Sequence, residues 1–147
     1  MLKGIPDIID SNLLKCLSDM GHGDAIVISD HFYPAVSNTP TGNILYAKGT
    51  TVPQIIEAIL QLIPLDTVYE PFPVEIIKPD SGFESALEGR PKIWDEIIQV
   101  IKENTPDANI GYTSRGDFYV KARNSFATVS TSDTRAYGCV ILKKGVN

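Results

Sequence analysis

His22 stands between Gly21 and Gly23, with Asp24 next and the apolar run Ala25-Ile26-Val27-Ile28 leading on to Ser29-Asp30. Glycine on both sides removes two Cβ atoms, so the backbone can take a positive φ and a ligand can approach closely. Imidazole titrates at about pH 6.5 in solution, which lets such a residue give or take a proton near neutrality. A lone histidine in a turn is most often a solvated or capping residue, and the carboxylate at the end of the apolar run is what sets this one apart. If residues 25–29 are extended at about 3.3 Å per residue, Asp30 lies at the far end of a short strand from His22. The two then meet only around a ligand or through an adjacent subunit.

Two tyrosines add to this set. Tyr119 falls on a helical stretch, where its ring can pack while its hydroxyl reaches solvent. Tyr137-Gly138 follows a polar turn and precedes a β-rich run, placing a phenol that both donates and accepts beside a residue with no side chain. Tyrosines, an aspartate, an arginine and a histidine together describe a polar pocket for a small neutral polyol. Other chemistries fit less well. Gly21-His22-Gly23 lacks the third glycine of a dinucleotide fingerprint and precedes its strand instead of following it. No phosphate-binding Walker sequence and no G-x-S-x-G elbow occur. His22, Asp24, Asp30 and His31 carry metal-ligating atoms, but without an H-x-x-x-H spacing or a cysteine cluster they predict no metal site.

The elements that must position these groups alternate in type. Ser11 is expected to cap a helix carrying Leu13, Leu14, Leu17 and Met20 on one face, with Gly21 as its stop. A buried strand over 25–29 follows, then a long loop over 31–43 and a short strand at Ile44–Ala47. Thr51 with Gln54 forms a capping box, and Ile55, Ile56, Ile59, Leu60 and Ile63 keep helical spacing up to Pro64. Val74–Lys78 reads as a second buried strand and 79–90 as a loop. From Pro91 onward Ile93, Trp94, Ile97, Ile98 and Ile101 make another amphipathic helix. A strand at Asn109–Tyr112 precedes a helix capped by Ser114 and Asp117 and running to about Asn124. Phe126–Ser130 and Cys139–Lys143 are β-rich runs suited to one sheet. Alternation of this kind predicts an α/β fold: a single domain over 1–147, its largely parallel sheet flanked by helices on both faces.

With 147 residues, 43% of them hydrophobic, the chain is the size of one compact domain. A net charge of −5 and a single basic pair, Lys143-Lys144, argue against nucleic acid as a partner. Cys16 and Cys139, the only cysteines, read as reduced packing residues, not a disulfide framework. No basic-plus-apolar leader is expected, because Pro6 interrupts the N-terminal segment, and no apolar stretch approaches the ~20 residues that span a bilayer. A soluble, cytoplasmic protein with no membrane partner is the expectation.

Several segments carry a closer resemblance: Leu2-Lys3-Gly4-Ile5-Pro6, Leu13-Leu14, Met20-Gly21-His22-Gly23-Asp24 with Asp30 and Pro34 beyond, Leu65-Asp66-Thr67, Tyr137-Gly138, and Ile141-Leu142-Lys143-Lys144-Gly145-Val146. They resemble the L-fucose mutarotase family, grouped with the D-ribose pyranases as RbsD/FucU-type proteins. The resemblance implies a cofactor-free sugar-anomer isomerase, with an α/β fold, assembled as a ring-based homodecamer with sites near subunit interfaces. It places the family's proton-donating histidine on His22 and its first substrate-binding carboxylate on Asp30. Further substrate-binding positions fall on Asp66, on Arg115 and Tyr119, and on Tyr137, Gly138 and Cys139. At the last of these the family's closing Tyr-Gly-Asn is altered, since a thiol cannot make a carboxamide's contact and only the Cys139 backbone is expected to serve. Asp30 is expected either to orient His22 or to hold a sugar hydroxyl. The expected partner is a free monosaccharide, L-fucose first; a ribopyranose-to-ribofuranose pyranase and a non-catalytic sugar-binding accessory of transport are the alternatives.

Overall fold

The computed structural model describes residues 2–82 and 90–146. Its elements run α1 (Ser11–Asp19), β1 (Ala25–Ser29), β2 (Ile44–Ala47), α2 (Val52–Leu60), β3 (Val74–Lys78), α3 (Lys92–Asn104), β4 (Ile110–Ser114), α4 (Arg115–Arg123), β5 (Ala127–Thr131) and β6 (Val140–Lys143). Most of the expected loop over 79–90 lies outside the described residues. The six strands form one sheet in the order β2-β5-β1-β6-β3-β4. Every neighbouring pair is parallel except the two made by β6, which runs antiparallel to both β1 and β3.

Strand periodicity divides the core between the two faces, because successive side chains point to opposite sides of the sheet. Ile26 and Ile28 of β1, with Val140 and Leu142 of β6, meet α1, α2 and α3. Val27, Cys139, Ile141 and Ile77 face the other way, onto Phe118 and Ala122 of α4 and onto Tyr33 and Ala35 of the loop after β1. Helices thus cover both faces, as the alternation predicts. The α4 face is the more polar one. There the buried Glu75 accepts a hydrogen bond from Thr113 Oγ1 (3.0 Å) and pairs with Lys121 of α4.

The helix starts follow local chemistry, with departures from expectation at α1 and α4. The capping box at Thr51 and Gln54 is formed in both directions. The cap of α1 is Asp10, whose Oδ1 accepts from Leu13 N (2.8 Å); Ser11 is already inside the helix. The Asp10 carboxylate caps its third helical N–H with full charge, and Leu14 N, the donor a Ser11 cap would use, is bonded to Asp10 O (2.9 Å). Ser114 precedes α4, but its side chain makes no capping bond. The extra residues of β4, Thr113 and Ser114, pair with Ile77 and Lys78 and hold that junction in the sheet instead.

Candidate active site

The end of β6 builds the setting of His22. Gly23 N donates to Lys144 O (2.8 Å) and Lys144 N donates to Asp24 O (2.9 Å), so the histidine turn is laced to the chain just beyond the last strand. Within the turn, Asp24 Oδ2 accepts from Gly21 N (2.8 Å). Gly23 takes φ 84°, the conformation that needs glycine. Gly21, expected to stop α1, is not in that conformation; the helix ends because Met20 turns extended at φ −65°, ψ 135°.

The other side of the same segment holds a second loop. Asp66 N donates to Lys143 O (3.0 Å) and Gly145 N donates to Pro64 O (2.9 Å). A Cβ on Gly145 would lie 2.6 Å from Asp66 Cα and from Leu65 O, so only glycine permits this approach. Lys143 to Gly145 therefore join two segments 44 residues apart, and the result is a contact between His22 Nε2 and Asp66 Oδ2 at 3.0 Å. Asp66 Oδ1 accepts from Tyr69 N (2.9 Å) and Val68 N (3.2 Å). The Tyr69 N–H bond first, and then the His22 ring and Val68 N–H, hold the Asp66 carboxyl below the usual carboxylate range. Tyr69 also lays its ring beside the imidazole, with centroids 5.2 Å apart. A recess of about 250 Å³, lined by Gly23, Asp24, Glu75, Lys121, Asn124 and Lys143 among others, opens beside the same turn.

A second group forms at the opposite end of β1. Asp30 is buried, and its Oδ1 accepts from Phe32 N and Tyr33 N at 3.0 Å each. Burial pushes its carboxyl up, against hydrogen bonds from Phe32, Cys139, Tyr33 and Gly138 that favour the charged form. The Cys139 thiol is likewise driven well above its usual range, by burial first and then by the Asp30 charge. It is a donor to Asp30 and a packing group, and its side chain is turned inward. Tyr137 holds φ 59°, a costly conformation for a tyrosine, with its carbonyl accepting from Trp94 Nε1 (2.9 Å). A Cβ on Gly138, the next residue, would sit 2.7 Å from the terminal methyl of Ile93 and 3.3 Å from Arg135 O.

Tyr119 projects from α4 toward this group. Burial raises its hydroxyl, with Cys139, Arg115, Asp30 and Asp80 all near enough to act on it. Arg115 opens the same helix, and its Nε pairs with Asp80 Oδ2 at 3.0 Å. The structure thus brings Asp30, Tyr119, Tyr137, Gly138 and Cys139 together, with Arg115 at the margin, while His22 and Asp66 stand apart. Within one chain Asp30 does not reach His22. The strand between them keeps them roughly 16 Å apart, and the residue on the imidazole is Asp66.

Sequence reasoning missed Tyr33, Tyr69, Asp80 and Trp94. Tyr33 packs edge-on against Tyr119 (5.5 Å) and Phe118 (6.1 Å), and its buried hydroxyl has no hydrogen-bond partner among the described residues. Among the described residues, no group of three or more His, Cys, Asp or Glu side chains is placed to hold a metal, and no helix is long and apolar enough to cross a membrane.

Comparison with known proteins places this architecture. The model of the RbsD / FucU transport protein family matches residues 3–147. The chain belongs to that family. It is 38% identical to the fucose mutarotase of Danio rerio over 148 aligned residues, 99% of this chain and 94% of the relative. Among solved structures, the fucose mutarotase of Streptococcus pneumoniae in complex with L-fucose superposes with a TM-score of 0.88 at 36% identity, covering 99% of both chains. FucU from Bifidobacterium longum gives a TM-score of 0.90 at 35% identity, again over 99% of each chain.

Proposed function

We propose that this chain is a mutarotase that interconverts the α and β anomers of a free monosaccharide, with L-fucose as its substrate. The observation that carries this reading is the 36% identity, over 99% of both chains, to the Streptococcus pneumoniae enzyme solved with L-fucose. The side chains support it. Opening a pyranose requires a proton on the ring oxygen as the bond from C1 to that oxygen breaks, and removal of the anomeric O–H proton as the carbonyl forms. Re-closure on the other face of the carbonyl reverses both transfers and inverts the anomer. His22 is the proton donor; Asp30 and the backbone at Gly138 and Cys139 hold hydroxyls, and Arg115, Tyr119 and Tyr137 hold hydroxyls and help exchange the second proton. General acid–base catalysis of this kind is worth about 10²–10⁴-fold, enough for a reaction that already proceeds unaided.

The separation of His22 from Asp30 supports a site completed between copies of the chain. Exposed apolar side chains stand at both ends of β1: Val68, Tyr69 and Val146 near His22, Phe32 and Val36 near Asp30. A head-to-tail contact of unlike ends closes into a ring when its rotation allows. A ring-based homo-oligomer, a decamer by resemblance, brings one copy's His22 and Asp66 to another copy's Asp30 group.

Saturation-transfer NMR of anomeric exchange on L-fucose, D-ribose, D-galactose and D-glucose tests the activity. Acceleration is expected on L-fucose above the others, and His22→Ala abolishes it while sugar affinity stays within about tenfold. Binding without accelerated exchange would mark a carrier and overturn the reading. Faster pyranose–furanose exchange on ribose than anomer exchange on fucose would make the chain a pyranase.

A further inference from the structure

We infer that Asp66 is a positioning residue for His22: its carboxylate holds the Nε2–H, so that Nδ1 is the nitrogen that exchanges a proton with the sugar. This rests on the mutarotase reading and assigns Asp66 a different task from the sugar contact that resemblance implies. Three observations carry it. Both Asp66 oxygens are already engaged by protein groups, Oδ1 by Val68 N and Tyr69 N and Oδ2 by His22 Nε2. The Asp66 side chain is 6% exposed, while that of His22 is 39% exposed. The reactive surface of the pair is therefore the imidazole. Finally, an ionised carboxylate only accepts hydrogen bonds. With Asp66 charged, the nitrogen facing it must carry a proton in both states of the ring.

The consequence is a fixed tautomer. Neutral His22 bears its proton on Nε2 and presents a bare Nδ1; protonated His22 bears a second proton on Nδ1 and gives that one to the ring oxygen as the C1–oxygen bond opens. Nε2–H stays on Asp66 throughout, and the anomeric proton leaves to the other acid–base group of the site. Among the described residues Asp66 is the hydrogen-bond partner of the imidazole, so without the carboxylate none of them selects one nitrogen.

The test pairs a spectrum with kinetics on the full chain. Nitrogen-15 NMR of His22 is expected to show the Nε2–H tautomer in the wild-type protein; an Nδ1–H tautomer there overturns the inference without any variant. Asp66→Asn keeps the shape but lets its amide donate to Nε2, so the Nδ1–H tautomer becomes populated. kcat for L-fucose exchange then falls on the order of 10³-fold with KM within about threefold, and Asp66→Glu regains part of the rate together with the Nε2–H tautomer. A tenfold rise in KM at unchanged kcat in Asp66→Asn would make Asp66 a sugar ligand and refute the positioning role. Wild-type protein that accelerates no sugar's exchange would instead defeat the mutarotase reading, while the tautomer measurement would still decide what Asp66 does.

Discussion

Gly145→Ala is the smallest change that should disturb both the fold and the chemistry at His22. The added methyl would fall 2.6 Å from Asp66 Cα, 2.6 Å from Leu65 O and 2.7 Å from Asp66 N. All three are backbone atoms, so no rotamer change relieves the overlap. Carbon atoms prefer about 3.5–4.0 Å, and the segments must part by about 0.9 Å. The contacts that tie them are Gly145 N to Pro64 O at 2.9 Å, Asp66 N to Lys143 O at 3.0 Å and His22 Nε2 to Asp66 Oδ2 at 3.0 Å. An opening of that size takes them past the range in which hydrogen bonds hold. Overpacking of this kind costs about 1–3 kcal/mol, a fall in Tm of roughly 2–12 °C for a chain of this length. A misplacement near 1 Å costs catalysis on the order of 10²-fold. Thermal unfolding and anomer exchange on one preparation read both effects. Gly116→Ala is the control: nothing lies within 4 Å of its added methyl, and on α4 alanine should stabilise by up to about 1 kcal/mol. A Gly145→Ala protein with wild-type Tm and wild-type exchange would refute the reasoning.

Two further predictions concern the other end of β1. Asp30 has its carboxyl raised by burial, so the folded state binds that proton more tightly than the unfolded chain, and stability attributable to Asp30 declines as pH rises through the folded value. Asp30→Asn should therefore match or exceed the wild type in urea unfolding at pH 7, lose that advantage below about pH 4, and bind L-fucose more weakly. An advantage confined to acid pH would reverse the sign and defeat the argument. Tyr33→Phe deletes a buried hydroxyl with no partner among the described residues and should leave stability unchanged or raise it by up to about 2 kcal/mol; a clear loss in the same unfolding assay would show that the hydroxyl is satisfied and defeat the argument.

Elements with strong local signals were legible in the sequence. Ala25–Ser29, Ile44–Ala47 and Val74–Lys78 are strands at the boundaries their apolar runs suggest, and the Thr51–Gln54 box starts its helix where both residues call for it. Competition between neighbours was harder to read. Asp10 and Ser11 both suit a cap, and Gly21 and Gly23 both suit a positive φ, but tertiary hydrogen bonds to Lys144 select Gly23. Types of site residue were also visible, since His22, Asp30, Tyr119 and Tyr137 attract notice by chemistry alone. Their grouping was not. Whether Asp66 or Asp30 meets His22 depends on where β6 enters the sheet, and no periodicity within 22–30 encodes that. Tyr33 gave no signal because an aromatic in a loop is ordinary until its hydroxyl is found buried and unpaired.

The place of β6 governs the order in which this molecule can be assembled. It is the last strand in the chain, yet it lies between β1 and β3. Until it inserts, β2, β5 and β1 on one side and β3 and β4 on the other share no hydrogen-bonded strand, and only β3-α3-β4 is a contiguous unit. Without β6 the inner edges of the two halves, at β1 and β3, would carry unpaired N–H and C=O groups. Such edges offer backbone partners to an extended strand of another chain. Pairing of β6 covers both edges, and the residues at its end hold Asp66 beside His22, so protection of the edges and assembly of the candidate site depend on the same strand.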